Sequence, residues 1–193
     1  MKKFLLLVVV LFIGANVFAQ NVEYGLKGGV SIANLGGDDP QGDAKTSFYI
    51  GGFVTFEIDD TFQFQPELVY SEQGSKAEAG NYEEKFKANY LNIPLVFKAK
   101  MFGTEKFKTV FGPQIGIMVK SELSSDSPMG DVDMKEATKD LDVALALGLE
   151  YDFDDNFSIN ARYNWGVTKI FDQDKLETDA RNSVFHIGFA YKF

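Results

Sequence analysis

Phe185-His186-Ile187-Gly188-Phe189-Ala190-Tyr191-Lys192-Phe193 ends the chain, and the reading of this stretch decides the fold. Every second residue is large and apolar: Phe185, Ile187, Phe189, Tyr191 and Phe193. Those between, His186, Gly188, Ala190 and Lys192, are small or polar. A period of two sorts these sets onto opposite faces of one strand, which a helix would not do. Seven earlier segments repeat the pattern, at 22–32, 48–58, 62–71, 90–98, 107–119, 141–151 and 157–167. No charged residue falls on the apolar face of any of them.

The connections between these segments alternate in length. Short turns fall at 59–60, 100–106 and 152–156, and long polar stretches at 33–47, 72–89, 120–140 and 168–183. That rhythm fits an all-β, eight-stranded antiparallel up-and-down barrel with its short turns at one end. An even strand number brings both termini to the short-turn end. The long stretches read as loops, with one alternative: the Glu- and Lys-rich stretch 72–87 extending its strands as a hairpin.

The first residues have a different character. Lys2 and Lys3 precede an apolar run from Phe4 to Ile13, and Val17-Phe18-Ala19 offers small residues at the positions a signal peptidase reads. The run is too short to span a bilayer as a helix, which takes about 20 apolar residues. A cleaved secretory signal peptide over 1–19 is expected, leaving 20–193 as one barrel domain.

Composition excludes several functions. With 45% hydrophobic residues the 193-residue chain folds rather than staying disordered. No Cys is present, so disulfides and thiolate chemistry are out, and a single His cannot form a His cluster. The net charge is −9, and without Lys2 and Lys3 it becomes −11, with 17 basic residues against 28 acidic. Nucleic acid is therefore not an expected partner, because phosphate binding needs a basic surface.

Alternation alone fits a soluble lipocalin-like barrel as well as a transmembrane one. Three features favour the membrane. The aromatic C-terminal strand resembles the signal by which outer-membrane barrels are recognised for insertion, with Phe189, Tyr191 and Phe193 as its key residues. Aromatics collect at strand ends on the apolar face (Phe56, Phe62, Phe97, Phe107, Tyr151 and Phe157), as interfacial girdles do. The other face mixes Gly and Ala with Gln, Asn, Glu, Lys and Arg, which suits a cramped polar lumen. The expected location is the outer membrane. The expected partners are its lipids and lipopolysaccharide, the barrel-insertion machinery during biogenesis, and a protein partner at the extracellular loops.

The chain also resembles the outer-membrane β-barrel family of Bacteroidetes, the porin-family or PorT-like proteins. The matching stretches are GLKGGVSIANL at 25–35, FQPELVYSEQG at 64–74, YLNIPLVFK at 90–98 and FGPQIG at 111–116. ALGLEYDF at 146–153, ARYNWGVT at 161–168 and the C-terminal FHIGFAYKF continue the series in family order. The resemblance implies an eight-stranded outer-membrane barrel but no fixed activity; some members are tied to secretion and gliding.

Chemistry is not expected. His186 is the only imidazole, and its parity points it into the lumen, where a packed His hydrogen-bonded to its neighbours is the better reading. No cofactor is expected. The Asp residues of the long stretches, among them Asp131 and Asp133, lack calcium-loop spacing and read as solvated charge. The lumen-facing charges are Glu23, Lys27, Glu57, Glu67, Lys98, Lys108, Asp142, Glu150, Arg162 and Lys192. Both signs occur, so an internal ion-pair network is expected, with Lys27, Glu57, Glu67 and Arg162 as its candidate constriction. The resulting function is a structural, loop-presenting anchor with a filled lumen. The alternatives are a narrow channel for ions or small solutes, and a PorT-like accessory of secretion.

Overall fold

The computed structural model describes residues 22–36, 42–79, 82–125, 131–171 and 179–193. The expected signal peptide lies outside them. The strands are β1 (Val22–Gly36), β2 (Asp43–Glu57), β3 (Phe62–Ala79), β4 (Tyr82–Met101) and β5 (Thr104–Ser125), then the two-residue β6 (Val132–Asp133). β7 (Leu141–Asp152), β8 (Phe157–Gly166) and β9 (Arg181–Lys192) complete the chain. β1 to β5 and β7 to β9 pair antiparallel with their neighbours in sequence, and β1 pairs with β9, so eight strands close a ring. β6 pairs only with Glu122 and Leu123 of β5.

The barrel is inside-out. Trp165 and Leu147 on the outer face are 62% and 63% exposed, whereas Glu67 and Gln65 in the lumen are 2% and 1% exposed. Alternation produces this directly, because a closed ring has only two faces. The apolar exterior gains nothing in water and requires a hydrocarbon solvent, where the closed ladder leaves no edge unpaired. This burial pattern excludes the lipocalin-like arrangement. Ring contacts run around the exterior towards the short-turn end, from Phe56 through Phe64 and Phe97 to Phe111, and from Phe107 through Tyr151 to Phe153.

The two ends differ. At the short-turn end Asp59 accepts the N–H groups of Thr61 and Phe62, and Asp154 those of Asn156 and Phe157. These backbone donors hold both carboxyls below the usual carboxylate range. The β4–β5 connection is tighter than expected: Met101 pairs with Thr104, leaving only Phe102 and Gly103, both left-handed at φ 57° and 66°. That is a type I′ hairpin, which favours Asn-Gly. A bulky residue there is strained by about 1 kcal/mol. Phe102→Asn is therefore expected to raise the stability of the detergent-solubilised barrel by that amount. A lowered urea midpoint would show instead that the contact of Phe102 with Phe107, 5.9 Å between centroids, outweighs the strain.

At the other end the strands overrun the expected loops. β3, β4 and β5 are 18, 20 and 22 residues long, where a membrane crossing needs about ten. Much of 72–89 and the start of 120–140 are thus strand, in line with the hairpin alternative. The period of two continues there, with Gln73, Ser75, Phe86 and Ala88 inside. β1 and β2 lengthen similarly, to Gly36 and from Asp43.

Candidate functional site

The lumen is organised in layers, each built by inward-facing residues of several strands. The middle layer centres on Glu67 of β3. Lys27 of β1 donates to its two oxygens at 3.0 and 3.1 Å, and Arg162 of β8 at 2.8 and 3.0 Å. The Gln65 amide adds a third donor to Oε1 at 2.7 Å and is itself fixed by Thr55. All three charged side chains are at least 95% buried. One carboxylate thus neutralises two cations from different sides of the ring, in a place where a lone charge would be costly.

Tyr49 and His186 lie beside this triad. Their rings stack with centroids 4.4 Å apart, the Tyr49 hydroxyl donates to Asn160 at 3.0 Å, and His186 Nδ1 lies 3.3 Å from the Asn164 amide nitrogen. Two glycines make room for the stack. Gly29 and Gly188 face each other across the β1–β9 pairing, and a Cβ on Gly188 would lie 2.5 Å from the Tyr49 hydroxyl. Among the described residues no hydroxyl hydrogen-bonds to His186. The space among Lys27, Tyr49, Glu67, Gln114, Arg162 and His186 holds no water-sized sphere.

Below, towards the short-turn end, Lys98 meets Glu150 at 2.5 Å, and Lys108 and Lys192 share Asp152 Oδ2 at 2.5 and 3.5 Å. A vestibule opens beneath them. Above the triad, Asp142 accepts from Thr168 at 2.6 Å and Asn182 at 3.1 Å. Beyond it the interior turns apolar: Leu35, Phe86, Ala88, Tyr90 and Met118 of the long strands pack on Ile170, Phe171 and Ala180 from the β8–β9 connection. Backbone bonds hold the connection in place, Lys139 N–H to the Ile170 carbonyl and Ile170 N–H to the Ala180 carbonyl. This plug caps the lumen.

Of the candidate constriction, the structure brings Lys27, Glu67 and Arg162 together. Glu57 stands apart as an exposed residue at the vestibule rim. Phe189, Tyr191 and Phe193 all face outward, with Tyr191 against Phe157 and Phe193. Two features escape the sequence reading. Asp152 reads as a turn residue but ends β7 and anchors two lysines. The apolar plug has a single sequence signal, Phe86, Ala88 and Tyr90 continuing the lumen parity with apolar side chains. Asp131 and Asp133 bond locally, to the Ser124 hydroxyl and the Lys135 N–H, and among the described residues no His, Asp and Glu cluster is arranged to hold a metal ion.

Comparison with known proteins agrees with this architecture. Residues 18–172 match a family model described as an outer membrane protein beta-barrel domain. The attachment invasion locus protein Ail of Yersinia pestis is 17% identical with a TM-score of 0.57, over 90% of this chain and 100% of that one. Neisserial surface protein A is 12% identical with a TM-score of 0.54, over the same shares. At these identities the likeness is one of fold. No curated protein matches the chain.

Proposed function

The chain belongs to the outer membrane protein β-barrel domain family, and from that membership we propose that it is a non-conducting structural barrel. In this reading it anchors a tall β-surface, built by β3, β4 and β5, on the outside of the cell. The observation that carries the proposal is the packed middle layer, where Lys27, Glu67 and Arg162 are bonded to one another with no space for a water-sized sphere. An ion crossing here would have to break a buried pair, a barrier of several kcal/mol. The apolar plug above adds a second obstruction that hydrated ions do not wet. Short turns and both strand termini then lie in the periplasm, the usual disposition of such barrels.

Single-channel recording of the refolded 20–193 chain in a planar bilayer tests this, with heat-modifiable gel migration as the check on folding. The expected result is silence at voltages where an open porin conducts steadily. Ion-selective openings that change in Glu67→Gln would replace the anchor by a narrow channel. A deletion strain that fails to export other proteins, with unchanged permeability, would move the role to secretion.

A further inference from the structure

The three short turns differ in what they carry at their tips. The β2–β3 turn holds Asp59-Asp60 and the β7–β8 turn Asp154-Asp155, whereas the β4–β5 turn is the uncharged Met101-Phe102-Gly103-Thr104. The charges that flank this tip, Lys100 and Glu105, pair with each other at 3.0 Å. Phe102 is 82% exposed, more than any other large apolar residue among those described. It is also the one described residue other than glycine with a positive φ, at 57°. A bulky side chain adopts that conformation against a steric penalty, and such strain concentrates at functional positions.

The ring of Phe102 ends a continuous series of aromatic contacts. It meets Phe107 edge-on at 5.9 Å between centroids, Phe107 meets Tyr151 at 5.8 Å, and Tyr151 meets Phe153 at 5.4 Å. Phe107 and Tyr151 pair across β5 and β7 on the apolar outer face. The lipid-facing stripe of the wall thus runs off the strand end and onto the turn with no polar residue to interrupt it. Water is a poor solvent for an exposed Phe ring, whereas the edge of the hydrocarbon layer suits it. We propose that the β4–β5 turn is a lipid anchor, with Phe102 set among the acyl chains of glycerophospholipids in the periplasm-facing leaflet. The turns bearing Asp59-Asp60 and Asp154-Asp155 stay in water, because carboxylates are costly in hydrocarbon. The anchor is therefore one-sided. It rests on the barrel spanning the membrane and is independent of whether the lumen conducts.

The chain has a single Trp, Trp165, which makes fluorescence a clean test. Phe102→Trp is placed in a Trp165→Phe background and refolded into phosphatidylcholine vesicles. Brominated acyl chains quench a Trp that touches them, and acrylamide quenches from the water. Phe102→Trp should lose most of its emission to brominated lipid and little to acrylamide. Asp60→Trp in the same background is the control at the β2–β3 tip and should respond the other way. Thr104→Trp gives the same reading if Phe102→Trp fails to show heat-modifiable migration. Equal access of acrylamide to Phe102→Trp and Asp60→Trp would overturn the proposal by placing the tip in water. Shielding of Phe102→Trp from both quenchers would overturn it in favour of a protein contact, such as a second copy of the chain. Trp165 of the parent keeps the two readings apart. If brominated lipid quenches Trp165 but not Phe102→Trp, the anchor alone fails; if it quenches neither, the membrane-spanning reading fails with it.

Discussion

Replacing Glu67 with alanine is expected to cost the barrel about 3–5 kcal/mol of folding stability, the range for removing one partner of a buried ion pair. Among the described residues, Glu67 is the one acid that joins Lys27 to Arg162, and none of the others offers either cation a substitute at bonding distance. The Gln65 amide loses its acceptor in the same step. A urea titration of the refolded protein in detergent micelles, comparing variant and parent midpoints, reads the effect. The compensated variant carrying Lys27→Met, Glu67→Leu and Arg162→Met should recover most of the loss, because exchanging an entire buried ion cluster for apolar residues of similar volume is often neutral. An Glu67→Ala midpoint equal to the parent's would mean that water hydrates the middle layer, and the filled-lumen reading would fail with it.

Gly188→Val should be more disruptive still and leave little heat-modifiable barrel. A Cβ at Gly188 would sit 2.2 Å from the Gly28 carbonyl oxygen and 2.5 Å from the Tyr49 hydroxyl. Ordinary overpacking costs about 1–3 kcal/mol because side chains shift to relieve it. Here the nearest obstacle is the backbone of the neighbouring strand, so relief would require parting β1 from β9. Gly52→Ala is the matched control: its nearest contact would be 3.6 Å, and it should fold like the parent. If the two variants fold equally well, the close approach at the β1–β9 pairing has no energetic weight.

The barrel was legible in the sequence because a transmembrane ring enforces one rule at every position, apolar outward and polar or small inward. Lys27, Glu67 and Arg162 could be assigned to the lumen by parity alone. What parity does not give is height along the axis. Glu57 shares the lumen parity with Glu67, yet it lies at the rim because β2 ends there. Asp152 was hidden by its acidic neighbours, which read as turn. The apolar plug was hidden for a different reason: where β3, β4 and β5 rise out of the membrane, their interior is again the inside of a water-soluble structure and needs apolar filling. An alternation read as lumen therefore changes its chemistry partway along the same strand.

Ring closure has an entropic consequence. Every adjacent pairing but one joins strands that follow each other in the barrel, and these can form as local hairpins. The exception, β1 with β9, brings together the two ends of the chain, so its loop-closure entropy is the largest in the molecule and its contacts are the last to be rewarded. In that seam Gly29 of β1 faces Gly188 of β9, so at this one level the two backbones approach without side chains between them. A chain stalled before the seam closes would hold its hairpins in register while presenting two open strand edges to its neighbours.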